Sequence, residues 1–140
     1  MRQLIFAATT LSIVITTGCL RKEYKKPIIN GYYLYAYATN EDMTIMHFDK
    51  YGGIEIIGAT VFSVGFDTSF IIAKQHPCIY PEKENKNITN YFIIPLKQPV
   101  IWTAQNIAVG PLSLQQFIDM RKTLKVADTL QFNTTLLTIK

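Results

Sequence analysis

GPLSLQQFIDMRKTLKV, residues 110–126, is the stretch that decides the fold. Ser113 followed three residues later by Gln116 forms a capping box, in which each satisfies a backbone donor the helix start would leave orphaned. Leu112 and Phe117 stand at the N′ and N4 positions, the spacing of a hydrophobic staple. Leu114, Phe117, Ile118, Arg121 and Leu124 recur at three- and four-residue intervals, which predicts a helix over 113–124 with one apolar stripe turned to a sheet.

Working outward, nothing else in the chain has that period. Downstream, ADTLQFNTTLLTI (127–139) returns to strand character. Upstream, GYYLYAYA (31–38), MTIMHF (43–48), IEIIGATVFSVGF (54–66), FIIAKQ (70–75) and TNYFIIPL (89–96) are rich in β-branched and aromatic residues. Gly58 interrupts the third of these as a bulge or break, and His76-Pro77 stops the fourth. TNED (39–42), DKYGG (49–53) and the polar PEKENKN (81–87) read as turns and loop. Five or six mainly antiparallel strands with one late helix packed on a face is an α+β arrangement. Strand order is not written in this pattern.

The N-terminus has a different character. Arg2 precedes an apolar run from Leu4 to Ile15, which closes on Thr16, Thr17, Gly18 and Cys19. The run is short for a spanning helix, which takes about 20 apolar residues, and its parts are those of a secretory signal peptide. Ile15-Thr-Thr-Gly-Cys19 resembles a bacterial lipobox, which implies cleavage between Gly18 and Cys19 and acylation of the Cys19 thiol. Gly18 fits the small residue before the cut, whereas Thr16 departs from the usual leucine. An ordinary signal-peptidase cut and an uncleaved anchor are the competing readings. The expected organisation is a signal peptide over 1–18, a basic tether over 19–29 and one globular α+β domain over 30–140.

Charge agrees with this division. The formal charge is +4, yet from Asn30 onward nine Lys/Arg meet nine Asp/Glu. The excess lies in Arg2, Arg21, Lys22, Lys25 and Lys26. A neutral body argues against nucleic acid, which asks for a basic stripe on the fold itself. Cations beside an acyl anchor read as a tether near anionic headgroups, about 1 kcal/mol each, or as a merely solvated linker. With Cys19 acylated, Cys78 is the remaining thiol, so the fold relies on its hydrophobic core and not on a disulfide.

FDTSFIIAKQHP, NYFIIPL and GPLSLQQFIDMRKTL, in that order behind a lipobox, resemble a domain-of-unknown-function family of small bacterial lipoproteins. The resemblance covers Gly31 to Phe132. It implies a cell-envelope protein exposed to the periplasm or cell surface, and it brings no activity, cofactor or partner whose residues could be carried over.

Three groups of residues invite chemistry. KQHPC (74–78) sets His76 two residues from Cys78, and a small hydrolase would use Cys78 as nucleophile and His76 as its base. Against this, Pro77 holds the pair in a stiff extended dipeptide, and both residues equally suit a strand end. His47, His76 and Cys78, with Asp49 or Asp67, could supply four metal ligands, although no ligand pair has zinc spacing. Tyr32, Tyr33, Tyr35 and Tyr37 suggest an aromatic platform for a carbohydrate or peptide, or rings that build the core. Asn87 and Asn133 open glycosylation acceptor triplets, which a bacterial lipobox makes coincidental, and Glu82 and Glu84 read as solvated. No phosphate loop, Ser-x-x-Lys or paired-carboxylate spacing occurs, and no cofactor is implied. The expected function is non-enzymatic binding at the envelope, to another envelope protein or a cell-surface polymer, with an inhibitor or immunity protein as one variant.

Overall fold

The computed structural model describes residues 23–78, 83–97 and 107–135. The first half of the chain folds back on itself three times, giving β1 (Tyr24–Ile29), β2 (Tyr32–Ala36), β3 (Thr44–Asp49) and β4 (Gly52–Ile57) as an antiparallel sheet in sequence order. Turn chemistry sets the reversals. Asn30 and Gly31 join β1 to β2 with φ of 48° and 81°, the left-handed pair that a two-residue hairpin favours. The Asp49 carboxylate accepts from the Tyr51 and Gly52 amides at 2.7 and 3.2 Å and fixes the turn into β4.

Gly58, Ala59 and Thr60 then carry the chain into a second sheet. It comprises β5 (Val61–Phe66), β6 (Phe70–Gln75), β7 (Asn90–Pro95), β8 (Val109–Leu112) and β9 (Thr134–Thr135), antiparallel in the order β8-β7-β6-β5-β9. The link is pinned on both sides. The Gln75 side-chain amide donates to the carbonyls of Gly58 and Ala59 at 3.1 and 2.9 Å. The buried Thr60, at φ 74°, places its hydroxyl between the Ala59 and His76 carbonyls.

The two sheets face each other across the main core. Tyr32, Leu34, Ala36, Ile45 and Ile57 come from the first sheet, and Val61, Val64, Ile71, Ala73, Phe92 and Ile94 from the second. Each fully buried side chain of the size of Leu34 or Ile71 contributes about 1.5–3 kcal/mol. The far side of the second sheet is covered by α1 (Leu114–Thr123), where Phe117 joins Ile72, Ile93, Val126 and Leu130 in a smaller core. The order of layers is therefore sheet, sheet, helix.

The helix stands as its cap predicts. The Gln116 amide donates to Ser113 Oγ at 3.3 Å and the Ser113 amide to Gln116 Oε1 at 2.9 Å. Leu112 and Phe117 lie in one cluster, as a staple requires. Its buried face is narrower than the expected stripe. Phe117, Met120 and Leu124 pack inward, whereas Leu114 and Ile118 are 54% and 39% exposed. The segment after the helix fills the flank they would have covered, through Val126, Leu130 and Phe132. Arg121 holds that segment, its Nη2 donating to the carbonyls of Ala127 and Leu130 at 2.6 and 2.9 Å.

Other expectations are corrected. The α+β class and the antiparallel pairing hold, but the strands exceed five or six and form two sheets. The run 54–66 is two strands in different sheets, parted at Gly58. The tether expected over 19–29 contains β1 in its second half: Tyr24 and Ile29 pair with Ala36 and Tyr32, and Tyr24, Ile28 and Ile29 pack on the core. Within 127–135 only Thr134–Thr135 is strand, because Leu130 and Phe132 turn into the helix-side core. Residues 136–139 of that expected strand lie outside the described residues.

Candidate functional site

The first sheet turns its second face outward, and that face is aromatic. Alternation along β2 sends Tyr32, Leu34 and Ala36 inward and leaves Tyr33 and Tyr35 on the outer side. On β3, Met46 pairs with Tyr33 in register, so Phe48 lies one step along on the same face. The rings form a continuous series, edge-to-face at both ends and tilted in the middle. Tyr33 meets Phe48 at 5.5 Å between centroids, Phe48 meets Tyr35 at 5.9 Å, and Tyr35 meets Tyr37 at 4.9 Å. Such pairs contribute about 0.5–1.5 kcal/mol each beyond area.

Two features set how this face presents itself. Phe48 lies flat over Gly53, where a Cβ would come within 2.5 Å of its ring, so a glycine on β4 is what lets the ring down onto the sheet. Above the rings stands Lys25 of β1, its Nζ 3.6 Å from the Phe48 centroid and 4.5 Å from that of Tyr33. A cation at that distance is held by the ring quadrupole. Tyr37 closes the series at the edge, 54% exposed. Burial of its ring first, and the Glu23 carboxylate beside its hydroxyl second, raise the Tyr35 phenol above its usual pKa.

Of the four tyrosines singled out in the sequence, three are therefore brought together and one is not. Tyr32 belongs to the core and packs edge-on against His47 at 4.8 Å. Phe48 and Lys25 complete the face although the sequence reading assigned neither to it. Phe48 was within reach, since alternation along MTIMHF sets it on the side of Met46. Lys25 is hidden by composition, because a lysine-rich run reads as tether until it pairs with β2. The Asn30-Gly31 turn was the signal for that strand.

His76 and Cys78 line adjoining hollows of about 400 and 410 Å³, which share Glu41, Thr60, Glu84 and Lys86. His76 lies in one of them, stacked on Phe62 at 4.1 Å, with Nδ1 2.9 Å from the Ile88 carbonyl. That contact makes Nδ1 the protonated nitrogen of the neutral ring. Cys78 lies in the other, exposed. Glu84, expected to be solvated, is half-buried and pairs with Lys86 at 2.8 Å.

The metal alternative is not assembled. Among the described residues no group of three or more His, Cys, Asp or Glu could hold an ion. Asp49 and Asp67 instead cap turns, Asp67 accepting from the amides of Ser69 and Phe70 at 2.7 and 2.8 Å. Gly18, Cys19 and Glu82 lie outside the described residues. No described helix is long and apolar enough to cross a membrane.

The family described as "Protein of unknown function (DUF3997)" matches residues 29–136, which takes in both sheets, the helix and the aromatic face except for most of β1. The chain belongs to the DUF3997 family. The match spans the motifs at 66–77, 90–96 and 110–124, which form β6, β7 and the β8–α1 unit. In DUF3997 terms, then, the motifs mark the second sheet and its helix. No curated protein and no solved structure matches the chain.

Proposed function

We propose that this DUF3997 protein is held at the bacterial cell envelope by acyl chains on Cys19 and acts by binding, without making or breaking bonds. The anchor is supported by the sequence alone, through the run Ile15–Cys19 and the cations that follow it. The observation that carries the binding role is the exposure of apolar side chains on both outer layers. Tyr37 closes the aromatic face of the first sheet, and Leu114 and Ile118 stand one turn apart on the helix, on the opposite side of the molecule. A tyrosine is among the side chains that carry most of the energy in protein contacts, and aliphatic neighbours add contact that excludes water. The partner is another envelope protein or a cell-surface polymer, and an inhibitor or immunity role is one form of the former.

A hydrolase would bring thiol, imidazole and oxyanion donors to one reacting carbon. Here His76 is committed to Phe62 and Ile88 and opens on a hollow that Cys78 does not line. The test is photo-crosslinking in intact cells from a reactive residue placed at Ile118, in the full chain. One reproducible, identified adduct, unchanged by Cys78→Ser, is the expected result. Loss of the cellular phenotype with Cys78→Ser, with no adduct at Ile118, would replace binding by catalysis.

A further inference from the structure

We infer that the hollow where α1 ends over the second sheet binds a small apolar carboxylate. Such a group stands at the C-terminus of a peptide with an aliphatic last side chain, or at the head of a short fatty acid. The hollow has a volume of about 430 Å³ and is lined by Ser69, Phe70, Pro95, Lys97, Leu124 and Lys125. Small-ligand sites run from about 300 to 1,000 Å³. Neither Ile118 nor any residue of the first sheet lines it, so the inference goes beyond the partner contact proposed above and stands without the anchor.

Two strand ends and the end of the helix meet there. Phe70 opens β6, Pro95 closes β7, and the two are partners in register. With Leu124, the C-cap of α1, they make an apolar floor, and Phe70 and Leu124 also pack on the helix-side core. Backbone sets the walls. Asp67 Oδ1 accepts from the amides of Ser69 and Phe70, and the Leu96 amide donates to the Ser69 carbonyl at 2.8 Å. These bonds tie the β5–β6 turn to the end of β7, so the shape exists before a ligand arrives, as in most ligand sites.

The polar groups around this floor are donors. Lys97 and Lys125 are exposed, and neither ammonium has an ion pair, hydrogen bond or aromatic ring as partner among the described residues. The Ser69 hydroxyl is unengaged in the same sense. No carboxylate lines the hollow. Asp67 is held by its turn, Asp119 accepts from the Gln115 side chain, and residues 98–106, which follow Lys97, contain neither Asp nor Glu. Ammonium and hydroxyl donors pair with charged oxygens, and the floor asks for hydrocarbon behind them.

Lys125 keeps its place at a conformational cost. The helix ends in a Schellman motif, with the Val126 amide donating to the Arg121 carbonyl at 2.9 Å and the Lys125 amide to that of Lys122 at 3.1 Å. Lys125 is the left-handed residue of the motif, at φ 56°, where glycine is the usual occupant. Backbone amides already satisfy those carbonyls. What lysine adds over glycine is a cation at the hollow.

The experiment titrates the full chain, followed by NMR of its backbone amides, with N-acetyl-leucyl-leucine, the amide of that peptide, hexanoate and inorganic phosphate. The free acid should shift the amides of 69–70, 96–97 and 124–126 saturably, and bind several-fold more tightly than the peptide amide. Tighter binding of the peptide acid than of hexanoate supports a peptide source for the carboxylate, and the reverse order supports a lipid source. Lys97→Gln and Lys125→Gly should each weaken the acid several-fold, whereas Lys50→Gln, the loss of a cation elsewhere, should not. Lys125→Gly should also unfold at an equal or higher denaturant concentration, so that weaker binding cannot be laid to a weaker fold. Equal affinity for acid and amide, equal binding of phosphate, parent-like binding by Lys125→Gly, or shifts absent from these residues would each overturn the site.

Discussion

The hydroxyl of Tyr32 is buried and has no hydrogen-bond partner among the described residues. An unpaired buried hydroxyl costs about 1–3 kcal/mol of desolvation, while the ring itself fills the core and meets His47. Tyr32→Phe keeps the ring and removes the cost, so thermal or urea unfolding at neutral pH should show unchanged or higher stability. Burial also raises the Tyr32 phenol above its ordinary pKa of 10.0. A folded-state pKa above the unfolded one gives stability that is complete below pH 10 and is lost as pH rises through the folded value. The alkaline fall in melting temperature should therefore be shallower in Tyr32→Phe. It should not vanish, since Tyr35 is shifted in the same direction. A fall as steep as in the parent would show that Tyr32 ionises elsewhere in the pH range or not at all. Gly65 is a second position where one atom decides. A Cβ there would collide with the Gln131 carbonyl, and backbone cannot yield as a side-chain tip would. Gly65→Ala should destabilise by about 1–3 kcal/mol, the usual cost of overpacking, and an unfolding midpoint equal to the parent's would show that 131 has moved aside.

Among the elements, the helix was legible in the sequence because its signals are local. Ser113, Gln116, Leu112 and Phe117 act over one turn and need nothing from the rest of the chain. Ser113→Ala should accordingly cost about 1 kcal/mol in chemical denaturation with an unchanged m-value. Strand content was legible for a similar reason, and β6 falls on the residues that alternation and Pro77 mark out. What was not legible depends on distance. Leu114 and Ile118 have the spacing of a core stripe, and only the arrival of Val126, Leu130 and Phe132 decides that they stay outside. β1 was hidden by composition, since Lys25, Lys26 and Pro27 look like linker until Asn30-Gly31 is seen to turn them back on β2. Arg121 has the spacing of the stripe but acts through its guanidinium. Arg121→Lys replaces the rigid guanidinium, whose Nη2 alone reaches both Ala127 and Leu130, with a more strongly hydrated ammonium on a flexible stem. It should destabilise by about 1–2 kcal/mol, with faster hydrogen exchange confined to 126–132. Uniformly faster exchange would mean that the residue supports the whole fold.

For the whole molecule, the aromatic face was half visible in the sequence. Three tyrosines announced it, but the ring that joins them and the cation above them come from strands whose pairing no local pattern gives. The proposed anchor and the proposed binding role also make different demands on experiment. Cys19→Ala should leave an unacylated chain, seen by mass, while Cys78→Ser should leave both lipid attachment and stability close to the parent. Rapid modification of Cys78 by a small thiol reagent, faster than a model thiol at neutral pH, would contradict a cysteine without chemical duty. The three-residue link at Gly58–Thr60 has a consequence for how the protein is made. Strands β1 to β4 are neighbours in sequence, so the first sheet can zip up by short-range loop closures as soon as residue 57 has emerged. Yet Leu34, Ile45 and Ile57 then face water until β5, β6 and β7 arrive to cover them. Between those moments the nascent protein is a half-sandwich with an open oily side, and it is vulnerable to aggregation for as long as the second sheet takes to form.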